Sequence, residues 1–174
     1  TRAAVDYPKD ETPFRWWGLL ERSAKTDESR SALNEMSFGI IGQLSLHGNY
    51  VEALTHWLPP LSESDEEKTK ARALNLLGLQ NRYLGNFSLS LSLYEQSLLI
   101  YKEIGDKSGE GATLNNISQI YDARGDYETA LKYLNQSLAI QQGIGDKSSE
   151  GTTLNNMATN AHARGDYETA LKYL

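Results

Sequence analysis

The stretch IGDKSGEGATLNNISQIYDARGDYETALKYL, from Ile104 to Leu134, returns as IGDKSSEGTTLNNMATNAHARGDYETALKYL from Ile144 to Leu174. The offset is 40 residues, and 23 of the 31 aligned positions are identical. A fixed period of this length marks a chain built from stacked supersecondary units. A weaker copy lies another 40 residues earlier, where RALNLLGLQNRYLGNFSLSLSLYEQSL aligns Leu74, Leu77, Gly85, Phe87 and Leu91 with Leu114, Ile117, Gly125, Tyr127 and Leu131. A fourth copy, offset by 37 residues, is visible in GIIGQLSLHGNYVEAL around Gly48 and Tyr50.

Within each period the punctuation recurs at half-intervals, at Gly105-Asp106, Gly125-Asp126, Gly145-Asp146 and Gly165-Asp166, with Gly48-Asn49 and Gly85-Asn86 as earlier relatives. Glycine enters the left-handed conformation that closes a helix, and the Asp or Asn after it accepts hydrogen bonds from the free N–H groups of the next one. Each period is therefore two helices joined by a tight turn. The apolar residues agree: Leu114, Ile117 and Tyr121 stand at i, i+3 and i+7, and Tyr127, Ala130, Leu131, Leu134 and Leu138 keep a helical step. Ala130 and Ala170, with Ser90 and Ala53 in the earlier copies, are small residues placed where paired helices cross closely.

The run Ile117, Ser118, Tyr121, Gly125, Tyr127 and Ala130 resembles the signature of the tetratricopeptide repeat family, and the likeness extends over roughly Ala32 to Leu174. The 40-residue period is similar to the longer-linker variants of that family. The resemblance implies an all-α fold, a right-handed α-solenoid of antiparallel helix pairs, with repeats at 32–60, 66–105, 106–145 and 146–174. Asn81 and Ala161 depart from the pattern where Tyr121 keeps the aromatic residue, and Pro59-Pro60 ends the first pair early. Residues 1–31 lie outside the repeats, as a polar arm followed by an apolar helix from Phe14 to Ala24. That helix carries Trp16, Trp17, Leu19 and Leu20, and is expected to cap the end of the array.

Composition narrows the function. With 17 Lys and Arg against 23 Asp and Glu the formal charge is −6, which opposes the phosphate attraction on which nucleic-acid binding rests. The absence of Cys excludes disulfides and thiolate chemistry and fits a reducing compartment, so the cytoplasm is the expected location. The apolar stretches near Trp16–Leu20 and Phe38–Leu46 fall short of the roughly 20 residues that span a bilayer. His47, His56 and His162 lack the paired spacing of a zinc site, and no metal or other cofactor is expected. GDKSGEG at Gly105 to Gly111 has neither the Gly-Lys-Ser/Thr order nor the preceding strand of a phosphate loop, and Gly109 becomes Ser149 in the second copy. Carboxylates gather at helix starts, at Asp126, Glu128 and Glu150, where they suit the helix dipole. The expected activity is binding rather than catalysis. A chain opening at Thr1 and stopping at Leu174 within a repeat reads as a piece of a larger protein, and the open end near Leu171 and Leu174 is expected to permit end-to-end self-association.

A polar stripe suggests where binding occurs. Asn115, Gln119 and Asp122 stand at i, i+4 and i+7 on a first helix, and Asn155, Thr159 and His162 repeat them; Asn75 is the earlier equivalent. The family resemblance implies that first helices line a concave groove and that Asn there holds the backbone of an extended peptide, which carries over to Asn115, Asn116, Asn155 and Asn156. Asn offers both a donor and an acceptor for that purpose. Asn116 and Asn156 are accordingly expected to bind peptide groups and to matter little for stability. The family's carboxylate clamp of Lys and Arg has no counterpart, because Asn75, Asn115 and Asn155 occupy the corresponding positions. The leading reading is a peptide- or helix-binding scaffold, and the alternative is a self-associating array without a separate ligand. Six of the eight differences between the two long copies form one block, ISQIYD at Ile117 to Asp122 against MATNAH at Met157 to His162. The block spans groove and core positions, so recognition and packing both remain open as its purpose.

Overall fold

The computed structural model describes residues 26–46 and 66–174, all of whose regular elements are helices. The chain divides into two compact units, residues 1–61 and 62–174. In the first, α1 runs from Asp27 to Leu46, starting ahead of the expected repeat boundary at residue 32. Its start is closed reciprocally: Ser29 N–H donates to Thr26 Oγ1, and Thr26 N–H donates to Ser29 Oγ, both at 3.1 Å. Leu33 and Phe38 form its buried face. The expected capping helix at Phe14–Ala24, Ala53 and Pro59-Pro60 lie outside the described residues.

The second unit holds α2 (Glu67–Tyr83), α3 (Phe87–Glu103), α4 (Lys107–Ala123), α5 (Tyr127–Ile144), α6 (Lys147–Ala163) and α7 (Tyr167–Lys172). Consecutive helices pack as the pairs α2–α3, α4–α5 and α6–α7; each pair also packs on the next, and the first helices α2, α4 and α6 touch in succession.

The turns are set by one dipeptide. Gly105, Gly125, Gly145 and Gly165 all have φ between 72° and 79°, a region open to glycine at no steric cost. That bend lets Asp126 N–H reach back to the Tyr121 carbonyl at 2.9 Å while Gly125 N–H reaches Asp122, and the other Gly-Asp turns repeat this double closure. The same aspartates then begin the next helix. Asp106, Asp126, Asp146 and Asp166 accept from the backbone N–H of Gly109, Thr129, Ser149 and Thr169 at 2.9 to 3.1 Å. Side-chain and backbone hydrogen bonds from Thr129, Ser149 and Thr169 hold three of these carboxyls below their ordinary range, and the backbone N–H of Gly109 does so at Asp106. A depressed folded-state pKa stabilises above the unfolded value, and that contribution is lost as the pH falls through the folded value. Asn86 differs: it makes no side-chain cap to α3, and its Nδ2 donates instead to Asn81 Oδ1.

Paired helices approach closely enough for side chains on the second to donate to backbone on the first. Ser97 Oγ donates to the Ala71 carbonyl and, one repeat on, Ser137 Oγ to the Gly111 carbonyl, both at 2.8 Å. Ser90 Oγ donates to the Gly78 carbonyl at 2.6 Å, at the small-residue crossing later occupied by Ala130 and Ala170. The apolar core of this region centres on Tyr94, Ile117 and Ile120, flanked by Phe87, Leu91, Tyr121 and Tyr133, with Ala71, Leu74, Ile100 and Tyr101 beside it.

Large and small residues trade places between repeats. The Tyr94 ring fills the space where Gly78 would carry a Cβ, which would stand 2.7 Å from it, and the Tyr101 ring crowds Gly109 in the same way. One period later these pairs read Leu134 with Ser118 and Gln141 with Ser149. Burial pushes both phenols up to about 12. The loss of glycine at Ser149 is thus matched by the loss of the aromatic ring at Gln141. Gly109→Ser alone should cost about 1–3 kcal/mol through overpacking. Adding Tyr101→Gln should restore most of the melting temperature; thermal denaturation showing the two changes to be additive would refute the pairing.

Candidate binding face

The first helices carry a ladder of side-chain hydrogen bonds. Asn75 on α2 donates from Nδ2 to Thr113 Oγ1 on α4 at 2.7 Å and accepts at Oδ1 from Asn116 Nδ2 at 3.1 Å. One repeat further, Asn115 Oδ1 on α4 accepts from Asn156 Nδ2 on α6 at 3.0 Å and from Thr153 Oγ1 at 3.4 Å. A third rung joins Asn160 on α6 to Asp122 on α4 at 2.6 Å and to the Tyr127 carbonyl at 2.9 Å.

Helical spacing explains the pattern. A first helix is buried on two sides, by its own partner helix and by the neighbouring first helices, so Asn115, adjacent to core residue Leu114, is nearly as buried as a core side chain at 7% exposure. Buried amides need partners, and the residues 38 and 41 positions further on, on the next first helix, supply them at successive repeats.

The expected groove residues therefore divide into two groups. Asn75, Asn115, Asn116 and Asn156 are joined to one another across successive repeats, and Asp122 is half-buried against Asn160. Asn116 and Asn156, expected to pair with peptide groups and to matter little for stability, each spend an N–H on the neighbouring repeat. Burial raises the Asp122 carboxyl from its ordinary range against the lowering effect of the Asn160 hydrogen bond. Gln119, Asn155, Thr159 and His162 face outward, Gln119 half-buried and the other three exposed. Thr159 Oγ1 bonds back to the Asn155 carbonyl at 3.0 Å, and His162 packs edge-on against Tyr167 with ring centroids 5.2 Å apart.

Sequence reasoning missed Thr113, Thr153 and Asn160 as ladder members. Their repetition at 40 residues, Thr113 with Thr153, was the available signal. On α4 the outward stripe continues through Ala112, Asn116, Gln119 and Ala123, and on α6 through Thr152, Asn156, Thr159 and Ala163, all exposed or half-buried and none formally charged. At the far end Leu171 and Leu174 are exposed, whereas Leu134, the equivalent of Leu174, is fully buried. Among the described residues no group of three or more His, Asp or Glu side chains could hold a metal ion, and no helix is long and apolar enough to cross a membrane.

The sequence model of the tetratricopeptide repeat family matches residues 69–143. No curated protein sequence gives a significant match. Among solved structures, BtubC (BKLC) from P. vanneervenii is similar at 18% identity with a TM-score of 0.74, the match covering 94% of this chain and 71% of that one. Two crystal structures of a Podosopora anserina putative kinesin light chain with nearly identical TPR-like repeats are also similar. The first is 17% identical with a TM-score of 0.65, covering 92% of this chain and 79% of that one. The second is 16% identical with a TM-score of 0.53, covering 94% and 73%. At these identities the likeness concerns the fold.

The ladder predicts that Asn156→Ala leaves the buried Asn115 Oδ1 with only the long 3.4 Å contact from Thr153 Oγ1 and costs about 1–3 kcal/mol. Asn155→Ala, at an exposed position, should cost under about 0.5 kcal/mol. Equal unfolding midpoints for the two variants in urea would contradict the assignment.

Proposed function

We propose that this chain, whose residues 69–143 match the tetratricopeptide repeat family, is a protein-binding scaffold that holds an extended, uncharged segment of another protein along its first helices. Repeats of this family mediate protein–protein interaction. The observation that carries the reading is the outward stripe of α4 and α6, where small and neutral polar side chains run on adjacent helices with no formal charge among them. A peptide backbone needs donors and acceptors at short reach, and Gln119 and Asn155 supply both from side chains outside the ladder. Small neighbours such as Ala112 and Ala123 let the backbone approach. The ladder fixes the distance between α4 and α6, so the binding surface is preorganised and loses little entropy on association. Asn116 and Asn156 keep an acceptor oxygen outside their rungs and line the same stripe, while His162 and Asp122 close its lower edge.

Catalysis has no part in this reading, because affinity comes from an array of weak hydrogen bonds and contact area. Self-association without a separate ligand is the second reading.

A photo-crosslinking residue at Gln119 or Thr159, compared with one at the exposed Gln136 of α5, separates the two. The proposal expects crosslinks to a different protein from Gln119 and Thr159, weakened at least tenfold by Asn155→Arg, and few from Gln136. Crosslinks to further copies of the same chain, or an equal yield from Gln136, would refute it.

A further inference from the structure

The variable block between the two long copies has an address inside the array. Met157, Ala158, Asn160 and Ala161 are between 1% and 5% exposed, and the equivalent Ile117, Ser118 and Ile120 are at most 1% exposed. Most of the block that distinguishes one repeat from the next is thus turned toward neighbouring helices, away from any external partner.

Asn160 shows what it meets there. Its Nδ2 lies 2.6 Å from Asp122 Oδ1 and 2.9 Å from the Tyr127 carbonyl, so it engages both helices of the preceding pair at once. An ionised carboxylate and a carbonyl can only accept, so the residue at this position must bring a donor. The two acceptors fix the amide in this one orientation, with its own Oδ1 buried and without a hydrogen-bond partner.

At the junction before, the same two addresses are filled by Arg82 and Ile120. Ile120 is fully buried in the cluster with Tyr94 and Ile117 and asks nothing polar of its neighbour. The block of one repeat therefore contacts the block of the next, Asp122 with Asn160, and the two junctions use different chemistry at equivalent positions.

We infer that the outer face of the α4–α5 pair selects the repeat that docks on it, accepting a helix pair with a hydrogen-bond donor at the position of Asn160 and rejecting one with Ile there. The block Ile117–Asp122 against Met157–His162 is a repeat-order code. The physical need for one is plain. Turns, aspartate caps and the stretch YETALKYL that opens the second helices are the same in both copies, with 23 of 31 positions identical, and would equally serve a repeat stacked out of order or contributed by another chain. Placing Ile at residue 160 removes two hydrogen bonds and leaves the half-buried Asp122 carboxyl without its donor. Placing Asn at residue 120 would bury an amide in an apolar cluster. Discrimination built on an unpaired buried polar group is stronger than any built on apolar volume alone.

The test is a cycle of substitutions in the whole chain. Asn160→Ile should lower the melting temperature by on the order of 5 °C, and Asp122→Arg should lower it as well, by setting a cation against the Asn160 amino group. Together they rebuild the Arg82–Ile120 kind of junction and should lose less than the worse single change. Additive losses, or Asn160→Ile costing no more than the neighbouring Met157→Ile, would overturn the inference. Asn160→Ala adds no bulk and provides an independent reading should the isoleucine variant not fold. In that protein the Asp122 carboxyl, followed by NMR, should titrate at a higher pH than in the wild type, and an unchanged titration would also overturn it.

Discussion

A left-handed glycine followed by an aspartate, recurring every 20 residues, is the constraint on which the second unit depends. The glycine turns the chain so that the last carbonyls of one helix are satisfied, and the aspartate serves two helices at once. Its backbone N–H completes the closing of one, and its carboxylate opens the next. Because the turn has no spare residues, the angle and offset between successive helices are fixed before any side chain packs. Residues close to one period apart then meet at each junction, and the array can be stabilised by interactions that repeat.

Three kinds of interaction exploit that spacing. Serines on α3 and α5 donate to backbone carbonyls of α2 and α4, which holds those pairs close. Asparagines and threonines join first helix to first helix, so the proposed binding surface is braced by side chains of the same type that compose it. Aromatic rings over glycines in one repeat give way to smaller side chains over serine in the next, which keeps the volume constant while letting the repeats diverge. Each of these is local to neighbouring repeats, as expected of a quasi-one-dimensional fold in which a unit contacts only the units beside it.

Much of this was legible in the sequence. The Gly-Asp punctuation announced the turns because its chemistry is local, and the helices of the second unit run 17 or 18 residues for all but the short α7. Ser90 and Ala130 could be placed at close crossings because small residues recur there in register. The roles of Asn115 and Asn116 could not be read, since the periodicity of one helix reveals a single apolar face and is silent about a second face buried by a neighbouring repeat. The same blindness applied to Asn160. An asparagine is ordinarily exposed, and here two acceptors supplied by the preceding pair make its burial possible.

The account stands on the claim that the ladder amides are committed within the protein and that the outward amides are free. Side-chain amide hydrogen exchange measured by NMR on the labelled chain tests this directly. Slow exchange at Nδ2 of Asn116, Asn156 and Asn160, with fast exchange at Gln119 and Asn155, is the predicted result. Exchange at Asn156 as fast as at Asn155 would contradict it, because the rung between α4 and α6 would then be open to water.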